Sequence, residues 1–237
     1  MISVRNLTVR YDAVVAVAEV SLDLPAGVFL AVSGPSGAGK SSLLWAIAGA
    51  TAPTSGTVEL DGTPVTSRPE AAASGVVLIP QGNGLARVLT ARENLAIPLL
   101  SAPELGQVLR RARGDADEED REEREESLRQ VDGIVDQALT DVGLEDSGNH
   151  LVEELSGGEQ QRVAVARGLA QRGRVILADE STSELDGANR ERVLTLLRRE
   201  AHRGAAVLIA THDPTVADAA DAHASMDEGH LTWQRRL

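Results

Sequence analysis

A chain of 237 residues, 42% of them hydrophobic and 25% charged, has room for one large domain around an aliphatic core, since aromatics make up only 2%. Acidic residues outnumber basic ones 36 to 23, a net charge of −13, which argues against nucleic-acid binding by phosphate neutralisation and against a polybasic grip on anionic lipid. The absence of cysteine excludes disulfides, thiolate metal sites and a cysteine nucleophile; the N-terminal stretch has no signal-peptide core, and uncharged runs such as 41–58 carry Gly, Pro, Ser and Thr and do not read as membrane spans.

In chain order, Ile2, Val4, Leu7 and Val9 predict a first strand, Val14 to Leu24 a second, and Phe29 to Val32 a short buried third. The stretch Gly34 to Gly39 breaks the pattern, and an apolar helix resumes over 41–48. Thr57–Leu60 and Val76–Ile79 read as strands, with Asp61-Gly62 as a turn. From Thr90 to Gly143 the pattern is mostly helical, and a helix beginning near Gly157 continues through Val163 to Ala170. Val175–Ala178 and Ala206–Ala210 are buried strands on either side of an amphipathic helix, Ala188–Ala201. Buried strands alternating with helices predict an α/β fold with a mostly parallel core sheet. The helical stretch, 88–170, reads as a lobe inserted into a core lobe made of 1–87 and 171–237.

Residues 115–126 are almost all charged. Asp117, Arg121, Glu125 and Arg129 follow one another at i,i+4, as do Asp120 and Arg124, and pairs of that kind add about 0.2–0.5 kcal/mol each to a helix. The stretch is expected to be a solvated helical hairpin; the alternative is a docking surface for a basic partner.

Three constellations carry chemistry. Gly34, Pro35, Ser36, Gly37, Ala38, Gly39, Lys40 and Ser41 fit the phosphate-loop pattern G-x-x-x-x-G-K-[ST], between a buried strand and a helix as that pattern requires. Glycines let consecutive N–H groups turn toward phosphate oxygens, and the helix start points its positive dipole end the same way. Lys40, the only lysine in the chain, supplies a compact positive charge, and Ser41 a hydroxyl for Mg²⁺. Second, the strand Val175–Ala178 runs into Asp179 and Glu180. Strand carboxyl ends in a parallel sheet face the ligand crevice, so Asp179 is expected at the Mg²⁺ ion and Glu180 at an attacking water as general base. Third, Leu155-Ser-Gly-Gly-Glu-Gln-Gln-Arg162 opens a helix with Ser156 as N-cap and Glu159 three residues on, a capping box. Gly157 and Gly158 cost helix stability but allow close approach of an anion. With no lysine and no metal-binding acid, this is half of a site, completed by another molecule.

With these residues the chain resembles the ATP-binding subunit of an ABC transporter, from Val9 to about Leu231, with LSGGEQQR similar to the family's signature motif. The resemblance implies an ABC-type P-loop ATPase with an N-terminal antiparallel β subdomain and an inserted α-helical subdomain. It implies two subunits, a homodimer or a pair with a homologous ATPase, sandwiching two MgATP head to tail. Ser156 and Gly158 of one would touch the γ-phosphate held at Lys40 of the other. The nucleotide-binding set it implies is Tyr11, stacked on adenine, the loop from Gly34 through Ser42, the signature residues Ser156, Gly157, Gly158 and Glu159, and Asp186 in the loop Ser183–Asp186 that crosses the dimer interface. Gln81 resembles the glutamine that senses Mg²⁺ and links to an integral membrane permease, and His212 the switch histidine at the γ-phosphate. His150, His202, His223 and His230 are expected as solvated loop residues.

The sequence departs from the family in three places. Ser181 stands where proline is usual after the glutamate, the segment after Gln81 lacks aromatics, and the acidic stretch lengthens the helical lobe. The phrases ILADE, ENLAIPLL and THDPTVADAADAH are similar to those of the macrolide-exporter and lipoprotein-release branch. Polar amino-acid importers more often carry phenylalanine at the position of Ala178, and the chain stops too soon after His212 for a sugar-importer regulatory domain. The resemblance therefore implies an ATP-hydrolysing motor on the cytoplasmic face of the membrane, of export or mechanotransmission type. The alternative is a non-transport ABC ATPase acting on a soluble or cell-wall-control partner.

Overall fold

The computed structural model describes residues 1–102, 105–108 and 117–236, which fall into two compact units, Met1–Asn83 with Arg172–Leu237, and Gly84–Gln171.

The first unit contains two sheets. Strands β1 (Ile2–Tyr11), β2 (Val14–Leu24), β4 (Ser55–Leu60) and β5 (Thr63–Pro64) form an antiparallel sheet in the order β2-β1-β4-β5. Alternation decides its faces: Ile2, Val4, Leu7 and Val9 of β1 are buried, and the residues between them are more exposed. The second sheet has the order β10-β9-β3-β8-β7-β6, from β3 (Phe29–Ser33), β6 (Val76–Ile79), β7 (Val175–Asp179), β8 (Ala206–Thr211), β9 (Ala222–Asp227) and β10 (His230–Arg235). All its pairings are parallel except β9 with β10. Strands β7 and β8 are buried along their whole length, which explains their continuous apolar runs. Helices α1 (Lys40–Ile47), α2 (Arg68–Ala73), α6 (Gly187–His202) and α7 (Pro214–Ala219) belong to the same unit.

The second unit is helical: α3 (Ala91–Leu100), α4 (Glu118–Asp141) and α5 (Gly157–Ala170) pack on one another around Leu95, Val135 and Leu139, each essentially inaccessible to solvent. The amide of Asn94, also buried, replaces missing backbone pairing by donating to the carbonyls of Ala86 (3.0 Å) and Thr90 (2.9 Å) and accepting from Ala86 N–H (2.8 Å). The expected α/β class, with mostly parallel core sheet, antiparallel N-terminal sheet and helical subdomain, is the observed one.

The charged stretch is a helix from Glu118 onward; residues 115 and 116 lie outside the described residues. Asp117 serves as the N-cap, accepting from Asp120 N–H at 2.9 Å. Arg129 lies 3.8 Å from Glu125 and 3.1 Å from Glu126. All three are exposed, and such pairs contribute little. No helix among the described residues is long and apolar enough to cross a membrane.

Candidate nucleotide site

The sheet order gathers the predicted residues. Ser33 pairs with Thr211, Asp179 with Ala210 and Ile79 with Ala178, so β3, β8, β7 and β6 end together. Gly34, His212, Glu180 and Gln81 each follow directly, or within two residues, at that one edge. Gln81 lies exposed in the turn after β6.

The loop from Gly34 to Gly39 depends on glycine at two positions. A Cβ on Gly34 (φ 150°) would lie 2.1 Å from the carbonyl oxygen of Met226, and one on Gly39 (φ 101°) 1.9 Å from that of Ala16. The loop therefore nests against β9 and β2, and only backbone fits there. Gly39 is also the N-cap of α1 and offers no side chain, so the N–H groups of Lys40, Ser41 and Ser42 precede the first intrahelical bond, Leu43 N–H to Gly39 O at 3.0 Å. Six other α-helices have a capping side chain: Ser67, Thr90, Asp117, Ser156, Asp186 and Asp213. The start of α1, by contrast, has no side chain competing with an anion for its N–H groups.

Lys40 is 6% exposed. Its Nζ donates to the carbonyls of Gly34 (2.8 Å) and Pro35 (3.0 Å) and lies 3.5 Å from Glu180 Oε1. The other Glu180 oxygen, Oε2, is 2.7 Å from His212 Nδ1; with the proton on Nδ1 the ring donates to it and fixes the carboxylate's direction. Glu180 itself sits at φ +51°, a left-handed conformation costly for a residue with a Cβ. Its N–H donates to Ala210 O (3.0 Å), and its carbonyl accepts from Ser183 Oγ (2.9 Å). Neighbours on both sides thus hold a strained residue, which is how strain persists at functional positions.

Ser41 Oγ donates to Asp179 Oδ1 at 3.0 Å, while Asp179 Oδ2 is buried without a partner. Burial pushes the Asp179 carboxyl above the usual aspartate range; the Ser41 hydrogen bond opposes this, the Glu180 charge adds to it, and Lys40 opposes it. A hydroxyl and a buried carboxylate oxygen with nothing to satisfy it make a hard oxygen set suited to Mg²⁺, which takes few protein ligands and completes its shell with phosphate and water. Among the described residues no cluster of three or more His, Cys, Asp or Glu could hold a metal alone. Ser181, buried next to Glu180, also has an unpartnered hydroxyl.

Ser156 caps α5 as the sequence predicts. Its Oγ accepts from Glu159 N–H (3.4 Å) and donates to Glu159 Oε2 (2.6 Å), and its N–H donates to the same oxygen (2.9 Å). These bonds hold the Glu159 carboxyl below the usual range, the Ser156 side chain most of all. Ser156 and Gly157 are exposed and Gly158 is half-buried. Tyr11, at the end of β1, is 43% exposed, enough to offer a ring face. Asp186 caps α6, accepting from Asn189 N–H at 2.8 Å.

Three of the four histidines expected in loops lie in regular elements, and one of these is also half-buried. His223 is not a solvated loop residue: it is half-buried on β9, with Nε2 2.7 Å from Ser33 Oγ, and burial and Arg235 push its pKa down. Its strand is built from Ala, Ser and Met, so no hydrophobic run marked it; the alternation of buried Ala222, Ala224 and Met226 was the available signal. His202 is likewise helical, at the end of α6, and His230 lies on β10; both are exposed, as is His150.

The sequence pattern of the family described as ABC transporter matches residues 17–183. The chain belongs to the ABC transporter family of ATPases. This cassette is 31% identical over 245 residues, covering all of the chain and 97% of the relative, to the uncharacterized ABC transporter ATP-binding protein YvrO of Bacillus subtilis. It is 36% identical over 223 residues, covering 92% of the chain and 56% of the relative, to the methionine import ATP-binding protein MetN of Corynebacterium efficiens. Among solved structures, the dimeric bacterial ABC transporter cassette MJ0796 superposes with a TM-score of 0.81 at 29% identity, with full coverage of both chains. The same values hold for its dimer in a post-hydrolysis state bound to ADP and Pi.

Proposed function

We propose that this cassette is the ATP-hydrolysing motor of a transporter, that two copies, or one copy and a homologous ATPase, close head to tail around two MgATP, and that closure drives a separate integral membrane permease. The carrying observation is the convergence of an uncapped helix start, a buried lysine, the Ser41–Asp179 pair and the strained Glu180 at one sheet edge.

In this reading the N–H groups of the loop from Gly34 to Ser42 bind the phosphates, and Lys40 exchanges its carbonyl partners for β- and γ-phosphate oxygens. Ser41 and Asp179 would hold Mg²⁺, with Gln81 as a further oxygen ligand, and the ion would supply Lewis-acid polarisation of phosphoryl oxygens. Glu180 accepts the proton of the attacking water once Lys40 has turned to phosphate, and His212, already hydrogen-bonded to it, keeps it aimed. Tyr11 stacks on adenine. Ser156 and Gly158 touch the γ-phosphate bound at the other subunit's loop, Gly157 and Glu159 complete the same helix start, and Asp186 lies in the loop that crosses between subunits. The dimeric assembly of MJ0796 and its ADP and Pi ligands support this reading.

For the partner, we favour a permease docked near Gln81 on the cytoplasmic side, of export or mechanotransmission type, because of the phrases ILADE, ENLAIPLL and THDPTVADAADAH. Purification of the tagged chain from membranes in mild detergent tests this. A stoichiometric multi-span protein with an extracytoplasmic domain is expected; a soluble or cell-wall-control partner would replace the transport reading with that of a non-transport ATPase. For the motor itself, Glu180→Gln is expected to bind ATP, lose turnover and run as a dimer on gel filtration with ATP. Undiminished turnover would remove Glu180 as base.

A further inference from the structure

A cavity of about 450 Å³ opens in the first unit where β2, an edge strand of the antiparallel sheet, meets β10, an edge strand of the other sheet. Its floor is apolar: Leu22, Leu24 and Leu30 are buried members of the core, and Trp233, half-buried, packs against that core to form one wall. Water there has few hydrogen-bond partners, so an apolar group that displaces it gains the hydrophobic free energy of the covered surface. The volume lies in the range of small-molecule sites.

Among the described residues, the mouth carries one charge that no carboxylate offsets. Arg5 and Asp23 also line it, but they neutralise each other at 2.8 Å, and Arg5 further donates to the carbonyl of Val4 at 3.0 Å. Arg236 is different. Its Cζ lies 5.5 Å from the centroid of the Trp233 ring, and among the described residues its guanidinium meets no carboxylate. On a chain of net charge −13, the pocket thus has an apolar floor, an aromatic wall and one net positive fork at its mouth. A guanidinium accepts a carboxylate or sulfonate through paired N–H donors while continuing to lie over the ring.

We propose that this cavity is a binding site for a small amphipathic anion, an aromatic or branched aliphatic body seated on Leu22, Leu24 and Leu30 beside Trp233, with its single carboxylate or sulfonate on Arg236. The site is separate from the nucleotide site. Register pairs Ile2 with Leu24 at one end of the β1–β2 hairpin and Tyr11 with Val14 at the other, so the two ends are about 30 Å apart along the strand, at roughly 3.3 Å per residue.

Titration calorimetry of the full chain with 1-naphthalenesulfonate and with neutral 1-naphthylmethanol tests the proposal. The sulfonate is expected to bind once per chain and at least tenfold more tightly than the alcohol. Arg236→Glu should weaken the sulfonate at least tenfold and change the alcohol less than twofold. Val28→Trp, which places a ring in the cavity from its lining, should abolish both, with thermal melting confirming that it folds. Lys40→Ala should change neither, which separates this site from the phosphate loop whatever the fate of the nucleotide reading. Equal affinity for sulfonate and alcohol, an unchanged affinity in Arg236→Glu, or binding that survives in a folded Val28→Trp chain would each overturn it.

Discussion

The starts of α1 and α5 are both glycine-rich helix N-termini, and they are built on opposite plans. At α1 the cap is Gly39, with no side chain to satisfy the first N–H groups, and a buried lysine and a carboxylate pair stand beside it. At α5 the cap is Ser156, exposed to solvent and closed into a reciprocal box with the carboxylate of Glu159 at the third position, whereas α1 has an ammonium at its first. Free N–H groups and a positive dipole end attract anions at both. Only the first adds a buried cation and a place for a metal. The difference teaches that a helix start becomes a nucleotide site through what is assembled around it, and that the second is suited to adding a few hydrogen bonds to a phosphate already held elsewhere.

Four mutations break or sharpen that comparison. The largest effect is expected from Lys40→Ala, which removes the buried cation and should weaken ATP binding at least a hundredfold by equilibrium dialysis; Lys40→Arg should not restore it, because the planar fork does not fit a buried pocket shaped for a point charge. Next, Glu180→Gln should lower turnover by roughly 10²–10⁴, the range for losing a general base, while the ATP dissociation constant stays within about threefold. Ser156→Asp then isolates the second helix start. Aspartate can accept from Glu159 N–H as serine does, but it cannot donate to the Glu159 carboxylate and sets a like charge beside it, so the melting temperature should fall slightly, and the added negative charge should also repel phosphate. Turnover should fall at least about tenfold and ATP binding by the isolated chain should be unchanged. Weakened binding in the isolated chain would mean that the two helix starts serve one nucleotide within a single copy.

The smallest effect concerns Glu159. Its carboxyl is held below the ordinary glutamate value of about 4.3 by Ser156, so its contribution to stability is fully present above that value and is lost as pH falls through the lower folded one. The group is half-buried at the surface, so the contribution is about 0.5 kcal/mol after screening. Glu159→Gln should lower the melting temperature by about 1–2 °C at pH 7, with the gap to the unmutated chain narrowing as pH falls below the ordinary glutamate value. A constant gap from pH 3 to pH 7 would show that the ionised carboxylate is not what the cap uses.

Legibility in the sequence followed the strength of the local pattern. β2 and α5 have the residue bounds that alternation and the capping box predict, and β3, β7 and β8 differ by a residue at most, because long or continuous apolar runs leave little choice. β5, α2, α7, β9 and β10 carry no comparable pattern. These elements are short or built from small and polar residues; Ala222–Asp227 is a strand because β3 lies beside it, not because its side chains demand one. For the same reason His223 looked like a surface residue until β9 placed it against Ser33.

The sequence by itself determined which residues can handle phosphate, metal and water: the glycine spacing around Lys40, the acids at the end of an apolar strand, and the box at Ser156 are local, and local chemistry is written in neighbouring residues. It also determined the α/β class, through buried runs alternating with helical periods. The tertiary structure decided what distance along the chain conceals. It brought Ser41 to Asp179 and Lys40 to Glu180 across about 140 residues, because the parallel order β3-β8-β7 ends those strands at one edge. It left Asp179 Oδ2 buried and unsatisfied, put Glu180 into a left-handed backbone, and opened a cavity where two sheet edges meet. Burial, strain and cavities arise from packing between segments, and no local window of sequence contains both sides of such a contact.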